Sequence, residues 1–444
     1  VTALAPSRLE TKLPDDKPLY TEAEARAEAD RCLYCVDAPC IKACPTSIDI
    51  PTFIRKIATG NVHGAARTIL EQNILGYSCA RVCPVEVLCV GDCVYQGWHG
   101  PPIPIGRLQR FATETVRTRA SANGETVVAS KKTDNPRKVA LIGGGPASLA
   151  CAAHLALAGH RPVILEKNDV LGGLNTTGIA PYKMHASDAV SEAEWVRSLG
   201  VEVRSGVTVG KTVHGKELLA EYDAVFIGVG LGADTMLGVP GEEGGGVLGA
   251  TAWIETMKLS SAGSEKLGKV VVVGGGNTAV DMARECARLG AESVTMVYRR
   301  GASAMSAYAH ELASARKEGV SVLTSVLPVR FLRDASGVLR GITLIHTDEN
   351  AKPREGSDHV LACDLVGLAI GQSKVKAIAS ELAGVTVDAL GRIEVDAQQR
   401  TKNPKVYAGG DCVNGGKEVV NAVAEGRDAA KAMMKSWENE APRG

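Results

Sequence analysis

Lys138-Val139-Ala140-Leu141-Ile142-Gly143-Gly144-Gly145-Pro146-Ala147-Ser148 is the stretch that decides the fold. Residues 138–142 end in four apolar side chains, the composition of a short buried strand. The glycines that follow let the backbone turn tightly and come close to a pyrophosphate. An alanine-rich stretch then runs as helix to Leu157, and its first free N–H groups and positive dipole end suit an anion. Gly159 fits a left-handed helix stop, and residues 162–166 give a second strand. Ser148 stands at the third glycine position of the fingerprint, where only a small residue is needed for helix–strand packing. Glu166, about 20 residues beyond the loop, offers a carboxylate to ribose hydroxyls.

The unit repeats. Residues 270–273 form a strand, Gly274-Gly275-Gly276 a loop, and a helix runs to Leu289 with Gly290 as its stop. A strand over 293–297 completes a second βαβ unit, so two doubly wound α/β domains are expected. Asn277 and Thr278 open the second helix, and Ala279 is its third small residue. The second strand here ends in Tyr298-Arg299-Arg300, with no acid. An arginine at that point accommodates a 2′-phosphate and favours NADP; the alternative is that these arginines stack on adenine or face solvent. No Cys-x-x-Cys lies in this half, which excludes a dithiol relay.

Near the C-terminus Val406-Tyr407-Ala408-Gly409-Gly410-Asp411 reads as a strand ending in an acid that can bond the ribityl chain of FAD. Residues 418–430 follow as a helix whose N-terminus can stabilise negative charge on a reduced isoalloxazine. The first site is therefore expected to hold FAD through Gly143, Gly145, Pro146, Ala147, Ser148, Glu166, Lys167, Gly173, Leu174, Gly410, Asp411, Glu418 and Val419. The second is expected to hold NAD(H) or NADP(H) through Gly274, Gly276, Asn277, Thr278, Ala279, Arg299 and Arg300.

Ahead of both units lie eight of the twelve cysteines, in two runs. One is Cys32, Cys35, Cys40 and Cys44, followed by Pro45. The other is Cys79, Cys83 (followed by Pro84), Cys89 and Cys93. Soft thiolates at such short gaps suit an iron–sulfur cluster, and the proline after a run recurs in cluster-binding ferredoxins. Zinc, which also takes four ligands in close pairs, is the alternative. Zinc is redox-inert, whereas two dinucleotide fingerprints describe a chain that moves electrons. In two-cluster ferredoxins the last cysteine of a run serves the other cluster, so Cys44 is expected to cross over, and one cysteine of the second run to cross back. Cys151, Cys286, Cys363 and Cys412 stand alone and read as small buried apolar residues.

The remaining composition sets bounds. The 444 residues suggest about three domains. Lys+Arg and Asp+Glu are both 50, which speaks against nucleic acid or an anionic membrane as partner. With no spanning apolar run and no signal-peptide pattern, the chain is expected to be soluble and cytoplasmic. Residues 20–29 are rich in alanine and glutamate, with Thr21 as cap, and lead as helix into Cys32. Residues 121–136 are polar, with Gly, Asn and Pro, and read as a linker.

Cys32-x-x-Cys35-x4-Cys40-x3-Cys44-Pro45, together with the order of cluster, FAD and NAD(P) segments, resembles the region shared by dihydropyrimidine dehydrogenases and glutamate synthase small subunits. Residues 73–89, Asn-Ile-Leu-Gly-Tyr-Ser-Cys-Ala-Arg-Val-Cys-Pro-Val-Glu-Val-Leu-Cys, are similar to the dihydropyrimidine dehydrogenase branch, as is Ser148 in the first loop. That resemblance implies two 4Fe–4S clusters. One would be held by Cys32, Cys35, Cys40 and Cys93. The other would be held by Cys44, Cys83, Cys89 and the side chain of Gln109, with Cys79 a bystander. Thiol counting alone would use all eight cysteines. The animal enzymes continue into a barrel with FMN and the pyrimidine site, whereas these 444 residues end soon after the FAD motif. The resemblance thus implies the flavoprotein subunit of the bacterial type, delivering electrons to a separate FMN- and iron–sulfur-carrying pyrimidine-reducing subunit. The NADPH-using animal enzymes carry a further basic residue just beyond the arginine pair, where this chain has Ser306, which tilts the coenzyme toward NADH. A glutamate synthase small subunit, a related transhydrogenase subunit, and a non-enzymatic redox sensor or assembly factor are the other readings; the Cys83-to-Cys89 spacing and Ser148 speak against the first two. The expected layout is an α-helical iron–sulfur domain over 1–130, then two Rossmann-like α/β domains. FAD would bind to 131–251 with 372–444, and NAD(P) to 252–371.

Overall fold

A computed structural model describes residues 4–123, 127–260, 267–374 and 376–438. Its first part is built from helices and loops, with no strand among the described residues up to 123. Thr21 caps the helix Glu22–Asp30: its Oγ1 accepts from Glu24 N–H, and the Glu24 carboxylate accepts from Thr21 N–H at 2.8 Å. This reciprocal pairing satisfies two amide groups that a helix start leaves free. In Ile50–Ala58 the residues Ile50, Phe53, Ile54 and Ile57 recur at helical spacing and are all buried. That stripe, and the matching one of Val62–Gln72, packs with the long helix Ile105–Asn123. Burying each such side chain contributes about 2 kcal/mol. Ile105–Asn123 runs into the segment expected to be linker.

The two α/β units are organised alike. In the first, Val406–Ala408, Ala224–Ile227, Lys138–Ile142, Arg161–Leu165 and Glu202–Arg204 lie side by side in that order, all parallel. In the second, the order is Val247–Gly249, Leu365–Leu368, Lys269–Val273, Ser293–Tyr298 and Ser321–Thr324, again all parallel. In both, the chain winds one way from the strand before the glycine loop and then back the other way. Each loop thus sits at a topological switch point, the place where open α/β sheets bind ligands. An antiparallel sheet of Val326–Arg333, Leu339–His346 and His359–Ala362 flanks the second unit. Val247–Gly249 belongs to the second sheet, so that unit begins ahead of residue 252, where the sequence reading starts it.

Val419–Trp437 lies against Pro146–Leu157. The contact is close because Gly426 allows it: a Cβ there would lie 2.0 Å from the Ala147 carbonyl oxygen. Two helix N-termini, one from each end of the unit's sequence, are thereby brought to one cavity. Cys151, Cys286, Cys363 and Cys412 are all buried. Among the described residues no helix is long and apolar enough to cross a membrane.

Candidate functional site

A cavity of about 720 Å³ runs from the first glycine loop to the start of the helix after the second. The local reasons are those of the sequence. Gly143 has φ +91°, and a Cβ there would lie 2.7 Å from the Gly228 carbonyl oxygen, so the loop closes on the neighbouring strand end only as glycine. The helices starting after Gly145, Gly276 and Glu418 all lack a side-chain cap. Their first N–H groups are therefore free for an anionic ligand.

Of the residues expected at the first site, Gly143, Gly145, Pro146, Ala147, Glu166, Lys167, Gly173, Leu174, Gly410, Asp411, Glu418 and Val419 line this cavity. Ser148 does not. It is fully buried, and its Oγ would be 2.2 Å from a Cβ on Gly228, so it serves helix–strand packing. Glu166 clips the loop: its Oε2 accepts from Gly144 N–H at 2.6 Å and its Oε1 from Asn168 N–H at 2.8 Å. A carboxylate has further lone pairs to offer a hydroxyl. Burial pushes the Asp411 carboxyl above its usual range, and the Lys417 N–H opposes this by donating to it. Burial also raises Glu418, whose Oε1 accepts from the Tyr308 hydroxyl at 2.6 Å.

At the second loop, a Cβ on Gly274 would lie 2.4 Å from the Ala369 carbonyl oxygen, and Ala279 is fully buried beneath the helix. Gly276 precedes Asn277 and Thr278, which line the same large cavity. Arg299 and Arg300 lie outside it, exposed beyond the strand end, with the Arg300 guanidinium 5.5 Å from the Tyr298 ring centroid.

Two small cavities gather the thiols. Cys32, Cys35, Cys40 and Cys93 line one, with Ile54, Tyr95 and Ile103. Cys44, Cys79, Cys83, Cys89 and Gln109 line the other, with Leu88 and Val420. Cys44 and Cys93 thus each sit with the opposite run, and Ile50 borders both cavities. The second cavity offers six groups rather than four, because the buried amide of Asn73 lines it as well. Cys79 is buried and hydrogen-bonded to Cys83. Gln109 Nε2 donates to the Gly76 carbonyl at 2.7 Å, which leaves its Oε1 as the group available to a ligand. Burial, with the neighbouring sulfurs, pushes Cys40 and Cys89 up to about 12. Such crowded thiols ionise together only when cationic charge offsets them, which is the chemistry of a metal-binding donor set. Among the described residues no three His, Cys, Asp or Glu side chains close tightly enough to hold a single ion.

The cavities share walls. Cys83 faces the second thiol cavity, while its neighbours Val82 and Pro84 face the large one. Val420 and Val419 divide in the same way. Sequence spacing gave no sign of two further groups at this end. Lys183 lies 2.8 Å from both Asp281 and Glu311, and Tyr308 joins Asn277 to Glu418. They are distant in sequence and meet only through domain packing.

Residues 137–426 match the family described as pyridine nucleotide-disulphide oxidoreductase, and residues 10–121 the one described as dihydropyrimidine dehydrogenase domain II, 4Fe-4S cluster. The glutamate synthase [NADPH] small chain of Halomonas elongata is 36% identical over 94% of this chain and 91% of its own. The NAD-dependent dihydropyrimidine dehydrogenase subunit PreT of Escherichia coli (strain K12) is 34% identical over 94% of this chain and 95% of its own. Among solved structures, thioredoxin reductase of T. acidophilum matches 68% of this chain and 99% of its own, with a TM-score of 0.55 at 21% identity, a likeness of fold.

Proposed function

Because the chain belongs to the pyridine nucleotide-disulphide oxidoreductase family and carries a dihydropyrimidine dehydrogenase-type 4Fe–4S domain, we propose that it is the electron-input subunit of a dihydropyrimidine dehydrogenase. At the family level it is an NAD(P)H-dependent flavin and iron–sulfur oxidoreductase. In the finer reading, electrons pass from NADH or NADPH to FAD, through two 4Fe–4S clusters, to a partner subunit that reduces uracil or thymine.

The observation that carries this reading is the sequence of shared walls. The large cavity borders the Cys44, Cys83, Cys89 and Gln109 cavity through Val82-Cys83-Pro84 and Val419-Val420, and that cavity meets the Cys32, Cys35, Cys40 and Cys93 cavity at Ile50. FAD accepts a hydride and gives up its electrons singly, which is the chemistry needed between a nicotinamide and a cluster. The chain's part is to hold and orient. Gly143, Gly145 and the free N–H groups after Gly145 would take the pyrophosphate. Asp411 would take the ribityl hydroxyls, and the N-terminus at Glu418–Val419 would face developing negative charge. The relatives named as subunits support a hetero-oligomer.

The full-length identities of 36% and 34% do not separate this reading from a glutamate synthase small subunit. The segment 73–89 and Ser148 favour the pyrimidine branch. The test is recovery of the natural partner from cell extract with the tagged chain, followed by assay of the complex with NADH on uracil, thymine, and 2-oxoglutarate with glutamine. Pyrimidine reduction supports the proposal; glutamate formation without it replaces the proposal with the glutamate synthase reading.

A further inference from the structure

Asn73 stands in the turn between the helices Val62–Gln72 and Gly76–Val82 and is fully buried. Its backbone N–H finishes the first helix by donating to the Ile69 carbonyl at 2.8 Å. Its side-chain amide has no such partner: neither Nδ2 nor Oδ1 makes a hydrogen bond. A buried amide left unpaired is costly, and a native fold keeps one where something else satisfies it. This amide lines the second thiol cavity, whose walls beyond the thiols and Gln109 are mostly apolar, among them Ile48, Ile50, Leu88 and Val420. What that cavity gathers is sulfur, which as thiolate or sulfide accepts a hydrogen bond and cannot donate one. The Nδ2 end of Asn73 is therefore the end that a filled cavity satisfies.

A second donor already touches one of these sulfurs. Thr46 is also fully buried, and its Oγ1 lies 3.2 Å from Cys44 Sγ. Once Cys44 is a thiolate the sulfur carries no proton, so the hydroxyl must donate. Arg427, on the helix Val419–Trp437, fastens both segments. Its Nη1 donates to the Thr46 carbonyl at 2.6 Å and to the carbonyl of Gln72, the residue before Asn73, at 3.2 Å. The first thiol cavity is built differently. Among the described residues lining it, Tyr95 is the one non-cysteine side chain with a donor, and its hydroxyl already donates to the Arg31 carbonyl at 2.9 Å.

We propose that Asn73 and Thr46 donate hydrogen bonds to sulfurs of the cluster in the second thiol cavity and thereby raise its reduction potential. This rests on reading that cavity as a 4Fe–4S site. Reduction adds negative charge to a cluster, and a donor aimed at its sulfurs stabilises the more negative state more. Apolar walls strengthen the effect, because little else there screens the charge. The first cluster has no such side-chain donors, so its potential is the internal reference.

The test is an EPR-monitored redox titration with iron analysis, on the full chain loaded with FAD and clusters. Asn73→Leu removes the amide at similar volume, and Thr46→Val removes the hydroxyl alone. Each should keep the iron content and lower the equilibrium constant for reducing one cluster by up to about tenfold, the worth of one hydrogen bond. The same cluster should respond in both variants, and the other midpoint should stay. Thr46→Ser keeps the donor and should keep the midpoint, which separates the hydrogen bond from the packing of the site. Full iron with both midpoints unchanged in Asn73→Leu and Thr46→Val overturns the proposal. Iron loss in Asn73→Leu overturns it too, because the amide would then be a ligand. So does an equal fall in Thr46→Ser and Thr46→Val. If the unaltered chain binds no iron, the cluster reading falls first, and the proposal with it.

Discussion

Asp15 and Asp16 are neighbours in the chain, yet their carboxylates close on arginines from two different domains. Asp15 Oδ2 lies 2.7 Å from Arg110 and 3.1 Å from Arg81, both in the helical domain. Asp16 lies 2.8 Å from Arg284 and 2.6 Å from Arg288, both on the helix Asn277–Arg288 of the second α/β unit. The pair walls a charged cavity of about 330 Å³ that also touches Cys83, Lys183 and Glu311. The N-terminal segment thus ties the thiol cavities to the unit that carries the second loop.

Asp16→Asn should loosen that tie. The Arg284 side chain is nearly buried, and removing one partner of a buried pair leaves a charge uncompensated. Glu318 still pairs with both arginines, at 2.8 and 2.7 Å, so the loss is partial. We expect a cost of about 1–2 kcal/mol, seen as a fall of a few degrees in the thermal midpoint of the loaded protein. An unchanged midpoint would show that Glu318, with Glu311 at 3.7 Å from Arg284, suffices.

The strands and glycine loops were legible because apolar residues bounded by glycine leave few alternatives. The Thr21 cap was equally plain. Ile105–Asn123 outran the expected boundary because its buried face, Ile105, Leu108, Ala112 and Val116, anchors a helix that polar residues can then continue. The site was legible where one short segment supplies it, as in the glycine loops. It was not legible where domains meet. Tyr308 and Glu418, or Lys183 and Asp281, lie about a hundred residues apart, and no spacing rule links them. Ser148 packs the helix, as its place at the third small position of the loop implies, and does not line the cavity; Glu166 lines the cavity and also clips its own loop.

His154 gives a pH dependence whose sign can be worked out. Its Nε2 is enclosed without a partner between the helices Pro146–Leu157 and Val419–Trp437, and burial, with Lys431 and Arg427 nearby, holds it down at about 4. A histidine whose folded value is depressed contributes stability that is present above its unfolded value, near 6.5, and lost as the pH falls toward the folded one. Between pH 7 and pH 5 this amounts to about 2 kcal/mol. Urea unfolding at the two pH values should show that loss, and His154→Leu should remove most of it. Equal losses in both proteins would assign the effect to other groups.

The coenzyme prediction follows from the surroundings of the second loop. Arg299 and Arg300 are exposed and outside the cavity, and the group beside Gly276 is the neutral Ser306 hydroxyl, 3.4 Å from where a Cβ would stand. NADH should therefore have a kcat/KM at least equal to that of NADPH. Steady-state rates with an artificial acceptor decide it. A strong preference for NADPH would reject the prediction, and Arg299→Ala should then remove the preference by about tenfold or more, the worth of a charge-assisted bond.

The second thiol cavity holds more candidate groups than four positions need, and Gln109 and Cys79 compete for the last. Gln109 is already oriented, because Gly76 takes its Nε2 and leaves Oε1 free. Cys79 shares a hydrogen bond with the Cys83 thiol. An amide oxygen in place of a thiolate removes one negative charge from a cluster, and net charge is among the determinants of its potential. Cys79→Ala should therefore keep the full iron content, about eight per chain for two four-iron clusters. Gln109→Ala should perturb one cluster, and Gln109→Cys should lower that cluster's reduction potential, because the added charge opposes a further electron. Iron analysis with EPR-monitored redox titration of the three variants separates the schemes. Loss of a cluster in Cys79→Ala, with both spectra unchanged in Gln109→Ala, would establish the all-cysteine site instead.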